Sequence, residues 1–316
     1  MAKNKTRAFR TSIGGQALIE GILMRGPDRQ AIVVRKPDGT LEEKVEPLHF
    51  IKERYPILGL PLIRGVVMFL DSMVKGMRAL LWSAEFLPEE EQEQPSRFDL
   101  WLEKTFGSEK AEKFVIGFAV VLGVALAVGL FMLLPTVLTG FLDRWVQARW
   151  ALNLIEGAVR ITIFLVYLWL CSRMQEIHRL FSYHGAEHKT IYCYEKGLPL
   201  TVENVRRQSR FHPRCGTSFL LVVILVSILV LFFVTWSNVF LRLVIRLALL
   251  PVIVGISYEI NRWLGRHDDL LISRILSWPG RQLQHLTTSE PDDSMIEVAI
   301  AAMERVIPEE KGKDAW

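Results

Sequence analysis

Cysteine is scarce. The 316 residues hold three, Cys171, Cys193 and Cys215, at uneven spacing. An odd number without paired spacing excludes a disulfide framework and fits a reducing compartment. No removable secretory leader is expected, because the basic first ten residues are not followed by a short apolar run with a small-residue cleavage site. Net charge is low as well: 38 Lys and Arg against 34 Asp and Glu leave +4. That is too diffuse for a nucleic-acid surface, so no nucleic-acid partner is expected, although a basic balance suits anionic lipid. No internal repeat is visible.

Charge disappears altogether from two long stretches. Phe114 to Leu142 and Ser218 to Trp236 contain no ionisable side chain, and each can supply the roughly 20 apolar residues that a helix needs to cross hydrocarbon. Two further stretches, Ala151 to Cys171 with Arg160 and Val239 to Ile260 with Arg242 and Arg246, are nearly as apolar. The fold class expected is therefore mainly α, a multi-pass helical membrane protein of about four spans with the lipid bilayer as its partner. A homo-oligomer or a membrane-protein partner stays open.

Around that membrane domain (114–260) the chain divides by composition. Residues 1–55 read as a cytosolic β-rich segment. In GGQALIEGILMRGPDRQAIVVRKPDGTLEEKV the turns at Gly26-Pro27-Asp28 and Pro37-Asp38-Gly39 predict three short strands. Residues 56–84 predict an amphipathic helix. Arg64, Asp71, Lys75 and Arg78 share one face and Leu62, Val66, Leu70, Met73, Met77 and Leu81 the other, which favours an interfacial or packed helix over a span. Residues 85–113 form an acidic connector. Residues 261–316 form a cytosolic tail, in which LTTSEPDDSMIEVAIAAMERVI predicts a capped amphipathic helix. The loop 172–217 holds eight Lys and Arg while the connectors at 143–149 and 237–238 hold far fewer, which places this loop and both termini in the cytoplasm.

That loop carries the chemistry. His184, Glu187 and His188 spell H-x-x-E-H on a segment that could continue helically out of the span ending at Cys171. Histidines at i and i+4 then project about 6 Å apart from one face, near enough to share a metal ion, with Glu187 beside them. The order is that of inverted zinc peptidases, in which the metal activates water and the glutamate shuttles its proton. Twenty-four residues later, His212 and Cys215 form an H-x-x-C turn in FHPRCGTS, and zinc accepts both nitrogen and sulfur. The expected site is a divalent transition metal, zinc by its donors, held by His184, His188, His212 and Cys215, with Glu187 catalytic. Four protein ligands would close the coordination sphere and suit a structural site, whereas catalysis needs an open position. Glu259 is a conceivable third ligand of the peptidase type, but an ordinary salt-bridged carboxylate is the simpler reading.

The stretches GGQALIEGILMRGP, HGAEHKTIYCYEKG, RFHPRCGTSFLL and LTTSEPDD, in this order, resemble the YqhQ-like family of bacterial membrane proteins. This is a domain-of-unknown-function family whose members are described as predicted metal-dependent enzymes. The resemblance runs from about Ile13 to Val306. It implies an integral protein of the bacterial cytoplasmic membrane and a metal site at His184, Glu187, His188, His212 and Cys215, and it names no substrate. Glu20 and Arg25 of the first stretch either line that site or pair with each other at a strand turn. Thr287, Thr288, Glu290, Asp292 and Asp293 of the last most simply cap a helix. Three functions remain open: a zinc-dependent hydrolase at the membrane surface, a non-enzymatic assembly or partner-binding protein with a structural metal site, and a transporter or channel suggested by Arg242 and Arg246.

Overall fold

The computed structural model describes residues 9–49, 55–88, 108–233, 239–267 and 269–315. The chain is mainly helical, with one small antiparallel sheet, and it divides into two units.

The first unit comprises Met1–Leu87, Leu168–Ser227 and Leu249–Trp316. Its sheet has four strands in the order β1 (Gly14–Leu18), β2 (Gly21–Arg25), β3 (Arg29–Arg35) and β4 (Leu41–Pro47). Three were expected. The unforeseen turn is Ile19-Glu20, where Glu20 adopts a φ of 50° and Leu18 pairs with Gly21. Tight hairpin turns usually announce themselves with Asn or Gly at such positions, so this one was silent in the sequence.

β2 and β3 are buried on both faces, and their unbroken Ile-Leu-Met and Ala-Ile-Val-Val runs are the reason. Ile22, Met24, Ala31 and Val33 pack with Tyr183, Ala186, Ile296 and Ala299. Leu23, Ile32 and Val34 pack on the other face with Ala79, Leu80, Trp82 and Phe86. Each fully buried Val, Leu, Ile or Met among them contributes about 1.5–3 kcal/mol. The exposed edge β4 carries Glu42, Glu43, Lys44 and Glu46, charges that discourage pairing with another chain.

The helix covering the second face is α1 (Ile63–Ala84). Three of its four charges turn inward, Asp71 meeting Arg25 at 2.6 Å and Lys75 at 2.9 Å and Arg64 pairing with Glu259, while Arg78 is exposed. Leu70, Met73, Val74, Met77 and Leu81 are exposed. A helix that turns most of its charges inward and shows an apolar side fits an interface with lipid on that side.

The unit's other helices are α5 (Gln175–Glu195), α6 (Val202–Arg206), α9 (Leu271–Thr287) and α10 (Asp293–Glu304). α10 is capped by Asp292, which accepts from the amide of Met295 at 2.9 Å. It is a core helix lying on the sheet through Met295, Ile296, Val298, Ala299 and Ala302. α5 does not continue the preceding span as expected, because Met174 is extended and interrupts the helix. It ends at Gly197, whose φ of 66° lets its amide close on Tyr194 and that of Leu198 on Cys193.

The second unit comprises Pro88–Tyr167 and Ile228–Ala248. In chain order its helices are α2 (Ser108–Val128), α3 (Leu134–Gly140) and α4 (Arg149–Cys171), then α7 (Gly216–Phe232) and α8 (Val239–Arg266), which it shares in sequence with the first unit. A π turn, Gly129–Leu133, joins α2 to α3 just before Pro135, whose missing N–H removes a helical bond. Among the described residues, three stretches are long and apolar enough to cross a membrane: Phe114–Gly140, Trp150–Cys171 and Leu243–Arg266. α7, the fourth expected span, is a shorter apolar helix within the described residues. Within this unit Arg246 is buried rather than snorkelling. It donates to Glu156 Oε2 at 2.9 Å and to Thr136 at 2.6 Å, and Arg160 reaches the same carboxylate at 3.2 Å. The acidic connector over 89–107, Asp268 and the side chain of Arg242 lie outside the described residues.

Candidate functional site

α5 carries the H-x-x-E-H motif on its buried side. The rings of His184 and His188 stand 4.4 Å apart edge to face, as the i, i+4 spacing requires. Gly185, between them, lets the chain after α9 approach: a Cβ there would lie 2.1 Å from the carbonyl oxygen of Ser289. That approach matters, because the Thr287 carbonyl accepts from His184 Nδ1 at 2.8 Å. On the other side the Arg210 carbonyl accepts from His188 Nδ1 at 2.5 Å. Both imidazoles are thereby turned so that Nε2 faces inward, which is how a second shell orients metal-binding histidines.

Cys215 completes the group. It precedes α7, and the amide and hydroxyl of Thr217 lie 3.4 and 3.1 Å from its sulfur. Sγ stands 3.2 Å from His184 Nε2. One donor atom from each of His184, His188 and Cys215 lies within 4.8 Å of the other two. Burial disfavours a thiolate, yet the two histidines hold the Cys215 pKa well below its usual value. Burial likewise disfavours a charged His184, but the Cys215 sulfur more than offsets this and pushes its pKa up to about 9. The thiolate form of Cys215 is thus favoured beside the two imidazoles.

Glu187 is buried on the same helix, and its Oε1 accepts from the amide of Gly15 at 2.9 Å. Burial pushes its pKa upward, against the pull of His188 and His184. Gly15 is required here: a Cβ would lie 2.6 Å from the Leu23 carbonyl oxygen and 3.1 Å from the Glu187 carboxyl carbon.

His212 does not join the three. Its ring centroid is 5.6 Å from that of His188, and Nδ1 accepts from the amide of Arg214 at 3.4 Å. Its Nε2 is buried without a hydrogen bond, with Glu195 Oε2 3.6 Å away. Burial pushes the His212 pKa down to about 4, with Glu195 offsetting only part of this. Glu195 stays below the usual carboxylate range because His212 and Arg214 outweigh its burial. Glu259 is salt-bridged to Arg64, as the simpler reading had it.

Several residues around the site were not foreseen. Gln284 clamps the backbone of His212 from both sides, accepting from its N–H at 2.8 Å and donating to its carbonyl at 2.7 Å. Glu20 and Arg25 do not pair with each other. Glu20 takes Arg179 and the Tyr183 hydroxyl of α5, while Arg25 takes Asp71 and Ser72 of α1. Gln16 fills the notch at Gly76 of α1. The glycine-rich first motif therefore fastens the sheet to α5 and α1 and sends one backbone amide to Glu187. The spacing of its glycines and polar residues was the signal, but their partners are distant in sequence.

Two imidazole nitrogens from α5 and a sulfur from the start of α7 define a mainly helical, membrane-type chain with a candidate metal centre. The chain belongs to the family DUF1385, described as a protein of unknown function, whose model matches residues 60–309. It is also similar to the uncharacterised protein YqhQ of Bacillus subtilis (strain 168), with 33% identity over 302 residues, 93% of this chain and 92% of that one. No solved structure matches.

Proposed function

We propose that this chain is a metal-dependent hydrolase seated in the cytoplasmic membrane, its site facing the cytoplasm and its substrate a peptide or a lipid-linked molecule. His184, His188 and Cys215 would hold a zinc-class ion, and Glu187 would take and return the proton of the attacking water. The observation that carries this reading is the convergence of three donor atoms within 4.8 Å while both histidines tie Nδ1 to backbone carbonyls. Two nitrogens and a sulfur suit zinc, and three protein ligands leave the fourth position of a tetrahedral ion for chemistry. When bound, such an ion supplies a Lewis acid and lowers the pKa of water. Glu187 supports the reading because burial pushes its pKa upward, against the pull of His188, His184 and the Gly15 amide, toward a carboxyl that can take up a proton. The basic loop 172–217 supports the cytoplasmic orientation.

The separating experiment is Glu187→Gln. An acid–base glutamate replaced by its amide leaves metal content and membrane level intact and abolishes complementation of a strain lacking the gene. Full complementation would refute the hydrolase. The second reading, a closed structural site, is favoured by the buried Nε2 of His212, which makes no hydrogen bond and has Glu195 Oε2 3.6 Å away, and it requires that nitrogen to turn onto the ion.

A further inference from the structure

α9 has three sectors. At roughly 100° per residue, Ser273, Gly280, Gln284 and Thr287 fall on one side, and all four are buried. This is the side that holds the candidate site: Thr287 through His184, Gln284 through His212. Gly280 lets the helix meet the start of α7, where a Cβ would lie 2.8 Å from Ser218. A second sector carries Leu271, Ile272, Ile275, Leu276 and Trp278, every one more than half exposed. The third, between Trp278 and the buried side, carries Arg274 and Arg281.

Five large apolar side chains side by side on one short helix are costly in water and mark an interface. The chain itself says what covers them. The apolar stretch Leu243–Arg266 ends five residues before Leu271. Five steps reach at most about 18 Å at full extension. The far half of α9 is held against Ser218 at the start of α7, the other apolar helix of this unit. Both ends of α9 are thus tied to the level at which an apolar helix leaves or enters the hydrocarbon. A helix lying along that level with an apolar side and a neighbouring arginine side has the complementarity of acyl chains and anionic headgroups. A second copy of the chain would match the apolar sector but not the arginines.

We infer that α9 is seated in a lipid leaflet, with Leu271, Ile272, Ile275, Leu276 and Trp278 among the acyl chains and Arg274 and Arg281 at anionic phospholipid phosphates. The inference rests on the membrane reading above and goes beyond it. The helix that takes the leaflet on one side holds His184 and His212 on the other, so the candidate metal centre stands at headgroup level.

The test uses the full chain in nanodiscs of phosphatidylcholine and phosphatidylglycerol. A photo-crosslinking residue, p-benzoylphenylalanine, replaces Ile275 in one variant and Leu126, an exposed position of the stretch Phe114–Gly140, in another. The expected result is a mass increase of one phospholipid at both positions. A lipid adduct at 126 without one at 275 overturns the seating of α9 and leaves the membrane reading intact. No lipid adduct at either position removes both. A crosslinked dimer at 275 makes a second copy the occupant and overturns the proposal. For the headgroups, phosphatidylglycerol should be enriched over its share of the disc among adducts at 275, and the enrichment should vanish in Arg274→Gln/Arg281→Gln. Adducts that match the disc composition before and after that change would overturn the assignment of the arginines to anionic lipid.

Discussion

Replacing Gly185 by alanine sets two physical effects of opposite sign against each other. Helix propensity alone favours alanine over glycine inside a helix by about 0.8–1 kcal/mol. Space forbids it. The new Cβ would stand 2.1 Å from the Ser289 carbonyl oxygen and 3.4 Å from the ring of Pro291. The obstacle is backbone, so it cannot rotate away. Ser289 is also bound to α5 through its N–H to the Phe181 carbonyl at 2.9 Å. Relief requires α5 and the segment 287–291 to separate, and overpacking of this kind costs about 1–3 kcal/mol. The net expectation is a loss of about 0–2 kcal/mol, with the larger effect at the site. The same movement draws the Thr287 carbonyl away from His184 Nδ1, and losing such an orienting partner lowers metal affinity by about 10–100-fold. Thermal unfolding of the detergent-purified chain reads the first effect, and competition with a chelator reads the second. Gly117→Ala, where nothing lies within 4 Å of the added carbon, is the control and should leave metal affinity unchanged. If Gly185→Ala is more stable than the parent and binds metal equally well, the close approach of these two segments is not what shapes the site.

His212→Ala should retain one ion per chain, measured by elemental analysis, because its Nδ1 and Nε2 are directed at Arg214 and Glu195 and not at the other donors; loss of the ion would make His212 a ligand. Asp71 is held below the usual carboxylate range, Lys75 and Arg25 outweighing its burial. A depressed folded pKa stabilises the fold above the unfolded value and loses that contribution as pH falls through the folded value, here below 3.8. Asp71→Asn should therefore flatten the acid limb of stability measured by thermal unfolding, and an unchanged limb would show that the pair with Arg25 contributes nothing there.

The membrane-type helices were legible because apolar runs of that length have few other uses, even where, as in Trp150–Cys171 and Leu243–Arg266, they carry a few charges, and the i, i+4 histidines because a helix turns both onto one face. Cys215 was legible as a donor by type and by its turn. That His212 stands apart from the other three was not, since only the fold reveals that the amide of Arg214 lies 3.4 Å from its Nδ1 and Glu195 Oε2 3.6 Å from its Nε2. α9 was missed because Pro279 and Gly280 interrupt a pattern that is split three ways instead of two. The interruption of the helix at Met174 has no signal in residue type. The glycine-rich first motif announced close packing but not against what, because Gly15 meets Glu187 across 172 residues of chain.

The most direct measurement is the transition-metal content of the chain purified without chelators, compared with that of a His184→Ala/His188→Ala double variant recovered from the membrane at the same level. The account expects one zinc-class ion per chain in the parent and none in the variant. A parent without stoichiometric metal, or a double variant that keeps it, would contradict the assignment of this site.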